Sequence, residues 1–193
     1  DTDTNILNTE ITNTYFNLKI LQTDYCLIKE NVLAKKYIFI NEGKIDLNTQ
    51  FYIHSELLSD SNNFVATKMV DGGMIKPGEK KELQICITID ENKNISDIED
   101  EIERIKRIDF EKEYLDTKAY WRKYVKKHNG LKIKEPQNSY DERIYEIYKR
   151  SILLFPLLTN PETGGIIASP EIDENFTKCG RYAYCWPRDA VFI

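Results

Sequence analysis

Between Thr14 and Asp90 apolar side chains recur at every second position, and nothing else in the chain narrows its possible folds so far. Phe16, Leu18 and Ile20 alternate with polar neighbours, as do Phe51 and Ile53, and Leu83, Ile85, Ile87 and Ile89 do so over a longer run. Period two is the repeat of a strand with one face on a core and the other toward water. Turn chemistry separates the runs at Asn41-Glu42-Gly43, Asp71-Gly72-Gly73 and Lys76-Pro77-Gly78, where Gly supplies a positive φ and Pro fixes its own. Residues 1–95 therefore predict an antiparallel β-sandwich.

At Ser96 the repeat changes. Ser96 and Glu99 form an S-x-x-E capping box, and Ile98, Ile102 and Ile105 follow at helical spacing. From Asp109 to Lys127, Glu, Lys and Arg surround Leu115, Trp121 and Val125 as a solvated helix face would, and Asn129-Gly130 supplies a stop signal. A helical linker is expected over 96–135. A second box, Ser139 to Glu142, opens another helix with Ile144, Ile147, Tyr148, Ile152, Phe155 and Leu158 on one face, and Pro156 is expected to end or kink it. The loop Pro161-Glu162-Thr163-Gly164-Gly165 then leads into Ile166-Ile167-Ala168-Ser169-Pro170 and the acidic stretch from Glu171 to Glu174. Ala190 to Ile193 open what reads as a helix that has neither cap nor turn, so a truncated sequence is expected.

The composition removes several classes of function. With 41% hydrophobic and 31% charged residues among 193, the chain reads as a globular one with room for one large domain or parts of two. A net charge of -5 offers no broad basic field for a phosphate backbone, so nucleic acid is not an expected partner. No run approaches the roughly 20 apolar residues of a membrane span, and no membrane partner is expected. Asp1 to Asn5 shows no signal-peptide pattern, which leaves cytoplasmic and secreted locations equally open. Cys26, Cys86, Cys179 and Cys185 do not have zinc-ligand spacing and read as free thiols. Only His54 and His128 are present, too few for His-based metal or triad chemistry. No metal or cofactor is expected, and any catalysis falls to carboxylates.

The densest chemistry lies in Tyr182-Ala183-Tyr184-Cys185-Trp186-Pro187-Arg188-Asp189. Three aromatic rings, a guanidinium and a carboxylate suit a sugar. Arg and Asp can hold hydroxyls by charge-assisted hydrogen bonds, and Tyr or Trp can cover the apolar faces of the ring. The plainer alternative is a helix N-terminus with packed aromatics and a structural Arg-Asp pair. Spacing alone leaves both open.

Trp186-Pro187-Arg188-Asp189 after Tyr184 resembles the signature of glycoside hydrolase family fifteen, the glucoamylases. Tyr148-Lys149-Arg150-Ser151, Leu157-Leu158-Thr159 and Gly164-Gly165-Ile166-Ile167-Ala168-Ser169-Pro170-Glu171 resemble the first barrel helix and following loop of bacterial and archaeal members, so the likeness is specific from about Tyr140 to Ile193. It implies a multidomain β + α architecture. An N-terminal β-supersandwich portion, here short, is joined by linker helices to an (α/α)6 catalytic barrel, of which 136–193 would hold the first helices. It also implies substrate contacts: Arg188 and Asp189 on hydroxyls of the non-reducing-end glucose, Tyr182 beside the reacting sugar, and Tyr184 and Trp186 in the same cluster. The implied partner is an α-glucan or oligosaccharide.

Inverting hydrolysis requires two carboxyl groups roughly 6.5–9.5 Å apart, one as acid and one as base. The resemblance places both on glutamates downstream of Ile193, so no catalytic residue is expected within this sequence. Glu162, Glu171, Asp173 and Glu174 sit in loops and match no catalytic position of the family. Asp189 beside Arg188 would have its pKa lowered, the wrong direction for a proton donor at neutral pH. Competing readings are a trehalose- or dextran-type glucosidase, a glycoside phosphorylase of similar architecture, a non-catalytic carbohydrate-binding module, and a plain interaction domain.

Overall fold

A computed structural model of the chain describes residues 2–58, 63–88, 98–130, 138–171, 177, 180 and 182–187. Among these residues six strands precede three helices: β1 (Leu7–Asn13), β2 (Leu18–Cys26), β3 (Val32–Asn41), β4 (Leu47–Leu58), β5 (Asn63–Ile75), β6 (Lys80–Thr88), α1 (Ile98–Lys106), α2 (Phe110–His128) and α3 (Ser139–Leu158). The chain divides into two compact units. One runs from Ile6 to Phe110, and the other joins the N-terminal segment up to Asn5 to the chain from Glu111 onward.

In the β-rich unit, β1-β2-β3-β6 form one antiparallel sheet and β4-β5 a second, a sandwich-like arrangement. The expected alternation is realised in β6, whose residues run exposed and half-buried in turn from Lys80 to Ile85. The sheets meet at Phe39, buried in β3, whose ring centroid is 4.5 Å from that of Phe51 in β4. Register places Ile20 of β2 and Lys81 of β6 on either side of Phe39. Asn41 ends β3 fully buried, yet its polar atoms are satisfied. Its Nδ2 donates to the carbonyls of Ile45 and Ile75, both at 2.8 Å, and its Oδ1 accepts from Gly43 N at 2.9 Å. A buried amide with all three bonds made fixes the turn after β3.

Two local expectations change. Asp71-Gly72-Gly73 is not a turn between strands but lies inside β5, opposite a register shift at Thr49/Gln50 of β4. Glycine is needed there because a Cβ on Gly72 would sit 2.3 Å from Thr49 Oγ1, and Gly73 has φ +65°. A Gly-Gly pair inside a strand marks an irregularity in pairing rather than an end. β1, with only Leu7 and Ile11 as apolar residues, is an edge strand that the periodicity does not reveal.

α1 belongs to the same unit. Arg104 grips Glu101 through Nε at 3.0 Å and Nη2 at 2.6 Å, and its Nη1 pairs with Glu30, which precedes β3. The two carboxylates hold the guanidinium pKa further above its usual range, led by the hydrogen bonds to Glu101. Tyr25 is buried in β2 and donates its hydroxyl to Phe110 O at 2.9 Å. Ser96, the expected cap of α1, lies outside the described residues.

In the helical unit, Asn138 rather than Ser139 caps α3. Its Oδ1 accepts from Tyr140 N and Asp141 N, both at 3.0 Å, and its backbone is extended. α3 runs two residues past Pro156 and stops with Thr159 in an extended conformation. The missing amide of Pro156 removes one ladder bond. Near the same end, the Thr159 hydroxyl donates to Phe155 O at 2.7 Å. Ile152 and Leu153 are buried, while Ile144, Ile147, Leu154, Phe155 and Leu157 are exposed, so the apolar residues of α3 occupy more than the single face expected of them. The N-terminal segment ties the unit together: Arg150 Nη1 donates to Thr4 O at 2.7 Å, and Arg122 pairs with Asp3 at 3.3 Å.

Candidate functional site

The segment that carries the aromatic cluster is built outward from the end of α3. Ile167 N donates to Leu158 O at 3.0 Å and Asn160 N to Gly165 O at 2.8 Å, so 158–160 and 165–167 form a short antiparallel pair. The loop between them closes on Asn160. Its Oδ1 accepts from Glu162 N at 2.9 Å and Thr163 N at 3.0 Å, and its carbonyl accepts from Gly164 N at 2.9 Å. Gly164 follows with φ +71°, a conformation that only glycine adopts without strain.

The outer side of this pair takes up a third segment. Ile167 bridges Cys185, Ala168 N donates to Tyr184 O at 3.2 Å, Ser169 N donates to Tyr182 O at 3.1 Å, and Tyr182 N donates to Glu171 O at 3.2 Å. Adjacent amides thus bond to carbonyls two residues apart, and the extra residue, Ala183, bends the segment as a bulge does.

Of the five expected substrate contacts, three are described; they lie within residues 182–186, and the backbones of Tyr182 and Tyr184 take part in the pairing. Tyr182, Tyr184 and Trp186 are 48%, 54% and 46% exposed, so each ring presents about half its surface to solvent. Free Cys185, also exposed, stands between the last two. Arg188 and Asp189 lie outside the described residues, as do Asp173, Glu174 and Cys179. Glu162 and Glu171 are exposed loop residues whose backbone groups, not their carboxylates, make the bonds given above.

Gly180 is a site residue that the sequence pattern does not reveal. A Cβ there would lie 3.2 Å from Cε2 and Cζ of Tyr182, so the bare glycine lets that ring lie against the backbone. Asn160 is the other, although its position at the start of Asn-Pro-Glu-Thr-Gly-Gly carries the signal of a turn initiator.

A second aromatic group lines α2. Tyr120 and Trp121 meet edge to face at 5.1 Å, Trp121 and Tyr124 at 5.9 Å, and Tyr124 lies 4.4 Å from His128. Burial, followed by the neighbouring Tyr120, pushes the Tyr124 hydroxyl above its ordinary pKa. These rings pack on one another along the helix, Tyr124 and His128 as an i, i+4 pair. Among the described residues no group of three His, Cys, Asp or Glu side chains could hold a metal ion, and no described helix is long and apolar enough to cross a membrane.

No protein-family model, curated protein or solved structure matches the chain.

Proposed function

We propose that the chain is part of an inverting glycoside hydrolase that releases glucose from the non-reducing ends of α-glucans or maltooligosaccharides. In this reading Tyr182, Tyr184 and Trp186 cover apolar faces of the terminal glucose, and Arg188 and Asp189 hold its hydroxyls. The observation that carries it is the gathering of three half-exposed aromatic rings on one short segment pinned by backbone bonds. A segment whose backbone is held in that way can present its rings to a sugar with little backbone ordering left to be lost on binding.

The same reading makes α3 the first helix of an (α/α)6 barrel. Its support is the set of exposed apolar residues Tyr140, Ile144, Ile147 and Leu154, in addition to the buried Ile152 and Leu153. A helix apolar on more than one side is the kind that other helices cover. The general acid and base are carboxylates downstream of Ile193, so the residues of this chain bind and orient the sugar, and no cofactor takes part.

The test uses the full-length polypeptide that carries this sequence, with maltotriose as the probe. Inversion at an α-linkage releases β-glucose, which proton NMR distinguishes from the α-anomer before mutarotation. Arg188→Ala and Asp189→Ala should each lower kcat/KM by about 100-fold without changing the melting temperature, since loss of orientation at the reacting sugar costs that much. Near-normal activity in both variants would remove these residues from the site. Binding of maltotriose without turnover would favour a carbohydrate-binding module.

A further inference from the structure

We propose that Asn160 is a positioning residue for the aromatic segment Tyr182–Trp186, acting through the two backbone pairings between them. This extends the sugar-binding reading and rests on it only where a sugar is used in the test. Asn160 touches none of the three rings in the bonds described. It acts at the fold of the loop. Its Oδ1 takes two successive amides, Glu162 N at 2.9 Å and Thr163 N at 3.0 Å, while its own backbone N and O close the loop on Gly165 and Gly164 at 2.8 and 2.9 Å.

That loop sets where Ile166–Ser169 emerges relative to the end of α3. Ile167 is held to Leu158, and the next two residues, Ala168 and Ser169, are the ones whose amides bond Tyr184 O and Tyr182 O. Those two bonds, at 3.2 and 3.1 Å, join the middle segment to the aromatic one. A shift of the middle segment is therefore passed on to the aromatic segment. A side-chain oxygen at position 160 is the chemical requirement, because an Asx-type turn depends on an acceptor at that distance from the backbone. Aspartate meets the requirement and alanine does not.

The experiment uses the full-length polypeptide that carries this sequence, labelled with nitrogen-15, and reads amide hydrogen exchange at Ala168 and Ser169 together with the Trp186 indole signal during a maltose titration. In Asn160→Ala, exchange at Ala168 and Ser169 should quicken by about tenfold, while Leu153 in the buried part of α3 keeps its rate. Asn160→Asp should restore both amides to near the original rates. Maltose should half-saturate the Trp186 signal at a several-fold higher concentration in Asn160→Ala, and near the original concentration in Asn160→Asp.

Unchanged exchange at Ala168 and Ser169 in Asn160→Ala would overturn the proposal, whatever maltose does. A Trp186 signal that ignores maltose in the unmodified chain would count against the sugar reading alone, and the exchange rates would still decide the role of Asn160. If Asn160→Ala also loosens Leu153, Gly164→Ala decides instead. An added Cβ there meets nothing within 4 Å but must accept φ +71°, so it strains the loop without a clash. Selective quickening at Ala168 and Ser169 in that variant supports the proposal, and its absence overturns it.

Discussion

The side chain of Asn5 donates through Nδ2 to the backbone carbonyl of Leu153 at 2.9 Å, across 148 positions of sequence. Leu153 is fully buried in α3, and the neighbouring Thr4 is fully buried too. The start of the chain is thus a structural part of the helical unit. Asn5→Ala removes the donor and leaves the second lone pair of a buried carbonyl unmatched, which should cost about 1 kcal/mol. Asn5→Asp should cost more, because it places an acceptor, charged at neutral pH, against another acceptor. Urea unfolding of the two variants, followed by helical circular dichroism, checks both the size and the order.

Among the described glycines of the β-rich unit, Gly72 is the one that an added Cβ would crowd most. A Cβ on it would lie 2.3 Å from Thr49 Oγ1, 2.7 Å from Thr49 O and 2.8 Å from Phe51 Cε2. Two of these neighbours cannot move freely: one is backbone, and the other belongs to the ring that packs on Phe39. Gly72→Ala should therefore destabilise the sandwich by about 1–3 kcal/mol, the usual range for overpacking. Thr49→Ala in the same chain should recover part of the loss by clearing the nearest contact. A thermal melt of the double variant no higher than that of Gly72→Ala alone would show that the backbone contact dominates.

What sequence could and could not reveal follows from how local each cause is. The strands around Phe51 and Leu83 are legible because alternate burial is written directly into alternate residues. β1 is not, because an edge strand with Leu7 and Ile11 exposed needs few apolar residues. Gly72-Gly73 reads equally well as a turn or as an irregular strand, and only the crowding by Thr49 decides between them. The cap of α3 is displaced by one residue because Asn138 and Ser139 are both good caps, and the choice rests on which oxygen reaches two amides. Tyr182, Tyr184 and Trp186 stand out as a cluster in one dimension. The pairing of Ala168 and Ser169 with Tyr184 and Tyr182 depends on the turn at Asn160 and the bulge at Ala183, and neither leaves a periodic trace.

Cys86 of β6 should give the β-rich unit a pH dependence of its own. Burial pushes its thiol above the ordinary value of 9.0, and the weak hydrogen bond from Gln84 offsets this only in part. The folded state therefore favours the protonated thiol. The stabilisation linked to it is intact below about pH 9 and is lost as pH rises through the raised value. Since the thiolate is the reactive form, Cys86 should alkylate with iodoacetamide at pH 8 more slowly than a cysteine in an unstructured peptide. Mass mapping of the modified residue, with and without urea, checks this. Equal rates under both conditions would mean that burial does not control this thiol.

Gly180 should govern the aim of Tyr182 more than the stability of the fold. A Cβ at 180 would approach Cε2 and Cζ of the ring to 3.2 Å and the hydroxyl oxygen to 3.5 Å, so the ring must yield by tenths of an ångström. It has room to do so, because Tyr182 is about half exposed and can swing toward solvent. Gly180→Ala should consequently melt within about 2 °C of the original chain, as a surface change of under about 0.5 kcal/mol does. If Tyr182 covers a sugar face, the same variant should bind maltose several-fold more weakly by calorimetry, because stacking depends on ring placement. Gly130→Ala, where a Cβ meets nothing within 4 Å, serves as the control and should change neither quantity. A lowered melting temperature together with unchanged maltose binding would make Gly180 a folding residue and would detach Tyr182 from the sugar.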